Sequence, residues 1–410
     1  MVRAVVKRHC GPLNLLVPKP FALVYDAAVS SGGNVTMPRG SVVAAVVAAA
    51  GIQCVAWCAG AAAADAARPH GFYDPLYESS YAQSPRLHPA KDSNPSPRLV
   101  LVEENDWFAG NRDYGYTQGF RASLVFHVFS DRSIAAGGFE LLGGIVLPSA
   151  PQLSVQRQFE WIMVGQSIFT PFLDDALIIP DRRDRLHAGW LYTGAAWMQQ
   201  TGRTQLDNFE VLVGLVGPSA GGETVQKFVH PLLSKTKHTE WQRQLENEPA
   251  ILLAWDRRWK FELKAGDGLE VDVIPSIGVS LGNVYTYAAA GALIRLGRSL
   301  ASTWGPARVR PAPAGGSFFA PPEKSLSWGY AVFAGFETRA VARDIFLDGN
   351  TGQSGPPISR NVFVADLIAG VEWFNRSGSR IAFSVTKRTK TFAEELHPDL
   401  FGSIEASVRF

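Results

Sequence analysis

Three short stretches of the chain carry residue types that could do chemistry. Residues 104–119 (ENDWFAGNRDYGYTQG) bring Asn105, Asp106, Asn111 and Asp113 close together. Side-chain oxygens at this density suit a hard cation such as calcium, and the same composition also makes an ordinary turn between two strands. Residues 217–230 (GPSAGGETVQKFVH) break the surrounding pattern at Gly221 and Gly222, after which ETVQKFVH reads as a short helix. Gln226 and His230 stand four residues apart and project from one face of it, with Thr224 and Lys227 round the side. A histidine in that setting can act as a general base, because imidazole titrates near neutral pH; the plainer reading is a surface histidine with no task. Residues 184–194 (DRLHAGWLYTG) offer Asp184 and Arg185 ahead of Trp190 and Tyr192. An interfacial aromatic girdle explains those two rings without catalysis.

The elements that must position these groups are read from a period of two. From Ile251 the chain runs ILLAWDRRWKFEL. Ile251, Leu253, Trp255, Trp259, Phe261 and Leu263 fall on one side, and Asp256, Arg258, Lys260 and Glu262 on the other. Successive strand side chains point to opposite faces, so one face is apolar and aromatic while the other is charged. Residues 209–215 and 363–373 repeat the pattern, with Val364 and Ile368 as exceptions. The last eight residues, SIEASVRF, set Ile404, Ala406, Val408 and Phe410 against Ser403, Glu405, Ser407 and Arg409. Such segments are the signature of a transmembrane β-barrel with a lipid-facing skin and a wet interior; the rival is a secreted β-sandwich. Strands are expected near 98–106, 117–129, 136–147, 156–170, 187–200, 207–216, 249–264, 268–281, 284–297, 327–346, 359–374, 379–391 and 402–410, some of them merging. The expected fold is all-β: an antiparallel up-and-down transmembrane barrel of about 12 strands with short rim helices, over residues 98–410. The Pro/Gly-rich stretch 302–326 reads as a loop.

Composition bounds the rest. The chain has 410 residues, 46% hydrophobic and 19% charged, which is too apolar for disorder. A net charge of +2 makes no case for nucleic acid. The three cysteines, Cys10, Cys54 and Cys58, exclude a disulfide framework and any thiolate zinc site beyond residue 58. Residues 41–64 are free of charge, follow Arg39 and end in alanines. They read as a secretory signal over 37–64, with a transmembrane anchor as the alternative. Residues 1–36 read as a mis-annotated, disordered extension, and 65–97 as a flexible N-terminal segment. After Ala64 no run of 18 apolar residues recurs, which excludes a helical membrane protein.

Taken in order, the motifs resemble the outer-membrane lipid A deacylase (LpxR-like) family. The residues that carry the resemblance are Asn105-Asp106, Asp113 with Tyr116-Thr117-Gln118-Gly119, Gly165-Gln166-Ser167 with Thr170-Pro171, and Asp184-Arg185 with Ala188-Gly189-Trp190. Gly217-Pro218, Gln226 with His230, and Trp241 with Gln244, Asn247 and Glu248 follow. The resemblance runs from about residue 100 to the C-terminus and is most specific over 160–250. It departs from the family pattern at Tyr114-Gly115, Gln118 and His187, which bear on substrate choice. It implies a hydrolase at the barrel rim that removes an ester-linked acyloxyacyl chain from lipid A. By the same resemblance His230 is the base, Gln226 shapes the site, and Asn105 and Asp106 face them. Calcium is the implied cofactor, with Asp106, Asn105 and either Glu240 or Glu248 as candidate ligands; Lys227 and Arg185 are candidates for binding substrate. A cation that polarises an ester carbonyl does the work of an oxyanion hole, and no serine nucleophile is then required. The implied partners are lipopolysaccharide, the outer membrane and the barrel-assembly machinery, for a monomeric protein that binds no nucleic acid. The alternatives are a non-catalytic barrel, as channel or structural protein, and a barrel phospholipase with a serine–histidine pair.

Overall fold

The computed structural model describes residues 96–410, apart from 111–113, 129–133, 144–145, 149–152, 173–182, 234–240, 265–267, 312–315, 323–325, 354, 357 and 410. The expected segments 1–36, 37–64 and most of 65–97 lie outside the described residues. The strands are β1 (Arg98–Asn105), β2 (Gly115–His127), β3 (Val155–Thr170), β4 (Ala188–Thr201), β5 (Gln205–Val216), β6 (Glu248–Trp259) and β7 (Phe261–Lys264). They continue as β8 (Glu270–Gly282), β9 (Tyr285–Arg298), β10 (Trp328–Asp344), β11 (Phe363–Asn375), β12 (Arg380–Arg388) and β13 (Leu400–Arg409). Every pairing is antiparallel, β13 returns to β1, and β6 pairs with β8 to close the sheet. β6 and β7 both pair with β8 and are one strand broken at Lys260, so the barrel has twelve staves.

Alternation sorts the side chains as expected. Trp161, Ile251, Leu253, Leu281, Val332 and Trp373 are exposed on the outer face, as a lipid-facing band requires. Asp256, Arg258, Asp272, Arg295, Asp366 and Glu372 point inward and are at most 4% exposed. Val364 and Ile368, the exceptions to the pattern, are buried on that inner face.

Three expectations are corrected. Residues 136–147 are not a strand: Ile134–Leu141 form helix α2, followed by a turn. The Ala-Ala-Gly-Gly run lacks the β-branched alternation of a stave, and alanine favours helix. Phe139 is buried beneath the Arg157 guanidinium, 5.1 Å from its ring. Trp190 and Tyr192 form no girdle. They share the inward register of β4 with Ala196 and Met198 and are 1% and 3% exposed. The interior, finally, is filled by side chains and an infolded connection rather than open. At the end carrying the connections 106–114, 171–187, 217–247, 345–362 and 389–399, Phe346 of helix α4 (Ile345–Asp348) stacks on Phe169 across the barrel at 4.0 Å. From the opposite end, the β9–β10 connection folds back into the lumen and buries Trp304, Phe318 and Phe319 completely. Its Arg310 pairs with Glu210 (2.5 Å) and Asp256 (3.0 Å). The Val309 and Ala307 amides donate to Glu104 and Glu405, and the Ser317 hydroxyl to Glu160. Lys260 turns inward at the β6–β7 break and donates to the carbonyls of Leu300 and Thr303. The stretch read as a plain loop is a plug.

Candidate functional site at the barrel rim

Asn105, Gln118, Ile168 and Gly189 are successive cross-strand partners on β1, β2, β3 and β4. Cross-strand partners share a face. Glu104, one residue before Asn105, points into the lumen, where it accepts from the Val309 amide, so the row through Asn105 lies on the outer face of the barrel. Helix α3 (Gly222–Leu233) starts against the Gly189 end of this row and contacts β4 and β3. A Cβ on Gly189 would lie 3.1 Å from the Gly222 nitrogen, and one on Gly222 would lie 2.7 Å from the Trp241 ring. Only glycine at both positions permits so close an approach. Gln166 of β3 donates from Nε2 to the Ala220 carbonyl (2.7 Å), and the Gly217 amide donates to the Gly189 carbonyl (3.0 Å). Gly221, in the left-handed region at φ 70°, ends the 3-10 turn Pro218–Ala220 and hands the chain to the helix. Two close approaches at glycine, two hydrogen bonds and the left-handed turn at Gly221 therefore fix where α3 begins.

The described residues of the site are engaged as follows. Gln226 is 2% exposed, and its Oε1 accepts the Trp241 indole N–H at 2.7 Å. The Trp241 ring lies against His187, with centroids 5.0 Å apart, and His187 exchanges backbone hydrogen bonds with Arg243 and Leu245. This ties α3, the 241–247 segment and the foot of β4 into one unit. Asn105 and Asp106 are both buried. Asn105 Oδ1 accepts the Trp107 amide (2.9 Å) at the start of helix α1 (Trp107–Gly110), and Asp106 Oδ2 accepts the Tyr114 amide (3.2 Å). Lys227 is exposed and pairs with Glu223 at 2.6 Å. The backbone of His230 belongs to α3; its side chain and Glu240 lie outside the described residues.

Two candidates lie elsewhere. Glu248, the first residue of β6, accepts from Asn283, Asn350 and both the amide and the hydroxyl of Thr351, a carboxylate committed to stitching the β10–β11 connection to the barrel. Arg185 is turned inward: it is 5% exposed and bonds Glu395 (3.1 Å) and Thr391 (2.8 Å), against the rings of Phe169 and Phe392. Burial pushes the Glu395 carboxyl up to about 7, against the opposing pull of Arg185 and with help from Asp399. Asp399, buried beside it, is raised for the same reason. This latch between the β3–β4 and β12–β13 connections has no sequence signal, because its partners are some 210 residues apart.

Among the described residues no three His, Cys, Asp or Glu side chains converge as a metal cage. Of the candidate ligands, Asn105 and Asp106 accept from the local turn, Glu248 is committed elsewhere and Glu240 lies outside the described residues, so no step is assigned to calcium. Residues 217–221 (GPSAG) spell the G-x-S-x-G pattern of serine hydrolases. That motif works on a strand-to-helix elbow atop an α/β-hydrolase sheet. Here Ser219 lies exposed in the 3-10 turn of an antiparallel barrel, with its amide bonded to Asn247.

Among solved structures, LpxR from Salmonella typhimurium matches with a TM-score of 0.59 at 19% identity, covering 76% of this chain and 100% of its own. The β domain of the Bordetella autotransporter BrkA matches at 0.39 and 8% identity, over 77% of this chain and 99% of that one. No curated protein matches in sequence. The family model described as outer membrane protein LpxR matches residues 75–410. A twelve-staved barrel with a lipid-facing skin, matched by that model over most of its length, belongs to the LpxR family of the outer membrane.

Proposed function

We propose that this outer-membrane protein acts on lipid A at its loop-bearing rim, hydrolysing the ester that holds an acyloxyacyl chain, with His230 as general base. The observation that carries this reading is the seat of α3 on the outer-face row that ends in Asn105. Lengths support it. The row from Gly189 to Asn105 spans three strand spacings, about 14 Å. His230 lies eight residues beyond Gly222, about 12 Å along a helix axis, and α3 contacts both β4 and β3. A helix running along the row carries the His230 turn toward Asn105. The packed lumen supports the same reading, because a lipid then reaches the rim only sideways, from the leaflet.

The chemistry asked of these residues is small. His230 takes a proton from water, the hydroxide attacks the ester carbonyl carbon, and the C–O bond breaks. The free fatty acid leaves, and the hydroxyl of the remaining acyl chain recovers the proton. Gln226, held by Trp241, orients the helix face that carries His230. Lys227, exposed one residue on, is suited to a lipid A phosphate.

A second reading, a family barrel without catalysis, is favoured by one observation: the side-chain oxygens of Asn105 and Asp106 already serve the local turn. Incubating the purified barrel with lipid A in mixed micelles, with calcium or with chelator, separates the two. Release of one fatty acid by the native protein and none by His230→Ala supports hydrolysis. No release by a correctly folded native barrel leaves the scaffold reading.

A further inference from the structure

One stretch of the outer wall does not suit lipid. Phe159, Trp197, Phe209 and Trp255 are successive cross-strand partners on β3 to β6, and Arg157, Gln199, Asp207 and Arg257 form the next row on the same face. This second row is polar and bonded in pairs: Arg157 Nε donates to Gln199 Oε1 (3.0 Å), and Arg257 pairs with Asp207 (2.7 Å). Exposed apolar side chains bracket it on that face, Trp161 and Val155 on β3, Leu253 and Phe261 on β6 and β7. Arg257 follows Ile251 on β6 at about 20 Å along the strand, which is about 15 Å down the barrel axis at a tilt of about 40°. The row therefore lies inside a lipid-facing band about 25 Å tall. Polar groups at that depth must be covered or paired, and Gln199 and Asp207 are fully buried.

The β2–β3 connection supplies cover. It starts and ends opposite the loop-bearing rim, yet folds back onto this wall. Helix α2 sets Phe139 beneath Arg157 and Gly138 against the Trp197 indole, where a Cβ would not fit. Beyond α2, the Leu147 and Pro148 carbonyls accept from Gln199 Nε2 (2.9 and 3.2 Å), and the Val146 carbonyl accepts the Trp255 indole N–H (2.8 Å). Residues 134–148 (IAAGGFELLGGIVLP) hold a single charge, Glu140. Gly137 and Leu141, one helical turn apart, share the face opposite Phe139. Both are exposed, Leu141 to 86%. With the wall on one side at membrane depth, the opposite face of α2 meets lipid. We propose that residues 134–148 lie sideways on the barrel as a membrane-embedded segment, with Leu141 among the phospholipid chains of the periplasmic leaflet. The periplasmic leaflet is the one at this end because the longer loops of such barrels face outward. The inference is independent of the rim chemistry.

The test uses the whole chain with Cys10, Cys54 and Cys58 replaced by serine, reconstituted in vesicles of phosphatidylethanolamine and phosphatidylglycerol. Nitroxides attached at Leu141→Cys and, separately, Gly137→Cys should be relaxed more strongly by oxygen, which partitions into lipid, than by a water-soluble nickel chelate. Their oxygen-to-nickel ratio should match that of Leu281→Cys on the lipid-facing band, and Ser377→Cys in the β11–β12 turn should show the reverse order. Both positions on α2 are exposed, and a Cβ on Gly137 meets nothing within 4 Å, so neither label disturbs packing. Relaxation dominated by nickel at 141 and 137 would put α2 in water, and shielding from both reagents would put another protein surface over it. Either result overturns the proposal.

Discussion

Replacing Gly222 by alanine tests how α3 is held. The added Cβ falls 2.7 Å from the Trp241 ring and 3.2 Å from the Gly189 Cα, where carbon atoms ordinarily rest at about 3.5–4.0 Å. Neither neighbour is the free end of a flexible chain: one is a buried indole and the other is strand backbone. The helix start must move by roughly 1 Å, and overpacking of this kind costs about 1–3 kcal/mol. With every 1.4 kcal/mol worth tenfold, the undocked fraction of α3 rises by about 5- to 150-fold. Hydrogen exchange read by mass spectrometry should show faster exchange by that factor in 222–233 and 241–247, while the amides of β8 to β11 stay protected. Gly137→Ala in α2, whose Cβ meets nothing within 4 Å, is the control. Unchanged exchange in α3, or an equal effect in the control, would refute the seating of α3 on β4.

Arg310→Ala removes one of the two arginine partners of both Glu210 and Asp256, which keep Arg121 and Arg258, and should lower unfolding stability by about 1.5–3 kcal/mol, read from the denaturant midpoint; a change under 1 kcal/mol would contradict a packed plug. Glu395 has a folded pKa of about 7 against an ordinary 4.5, so its contribution is fully present below about pH 4.5 and is lost as pH rises through about 7. Thermal midpoints from pH 5 to 8 should accordingly fall more steeply for the native protein than for Glu395→Gln. Ser219→Ala should leave lipid A hydrolysis unchanged; its loss would move the reading to a serine esterase. In planar bilayers the native barrel should not conduct, and steady single-channel current would show that the lumen is open.

Much of the barrel was legible because its staves carry their environment in their alternation. ILLAWDRRWKFEL states both faces of β6, and SIEASVRF those of β13. The count of twelve was also legible, although 136–147 was read as a stave and is α2. The plug was not. Arg308 and Arg310 sit in a Pro/Gly-rich stretch that looks like any loop, and their partners Glu104, Glu210, Asp256 and Asp366 come from four strands far away in sequence. Trp190 and Tyr192 misled for a related reason: an aromatic near a strand end suits a membrane girdle or a packed lumen equally well, and only the register of β4 decides. At the site, the spacing of Gln226 and His230 predicted the helix that forms. The inward turn of Arg185 toward Glu395 is a long-range pairing that no local pattern encodes.

The central claim, a rim histidine that hydrolyses lipid A, is tested most directly by mass spectrometry of lipid A from cells producing the native protein or His230→Ala at equal outer-membrane levels. Hydrolysis predicts a species lighter by one secondary acyl chain with the native protein and its absence with the variant. The same lipid A profile from both would contradict the claim.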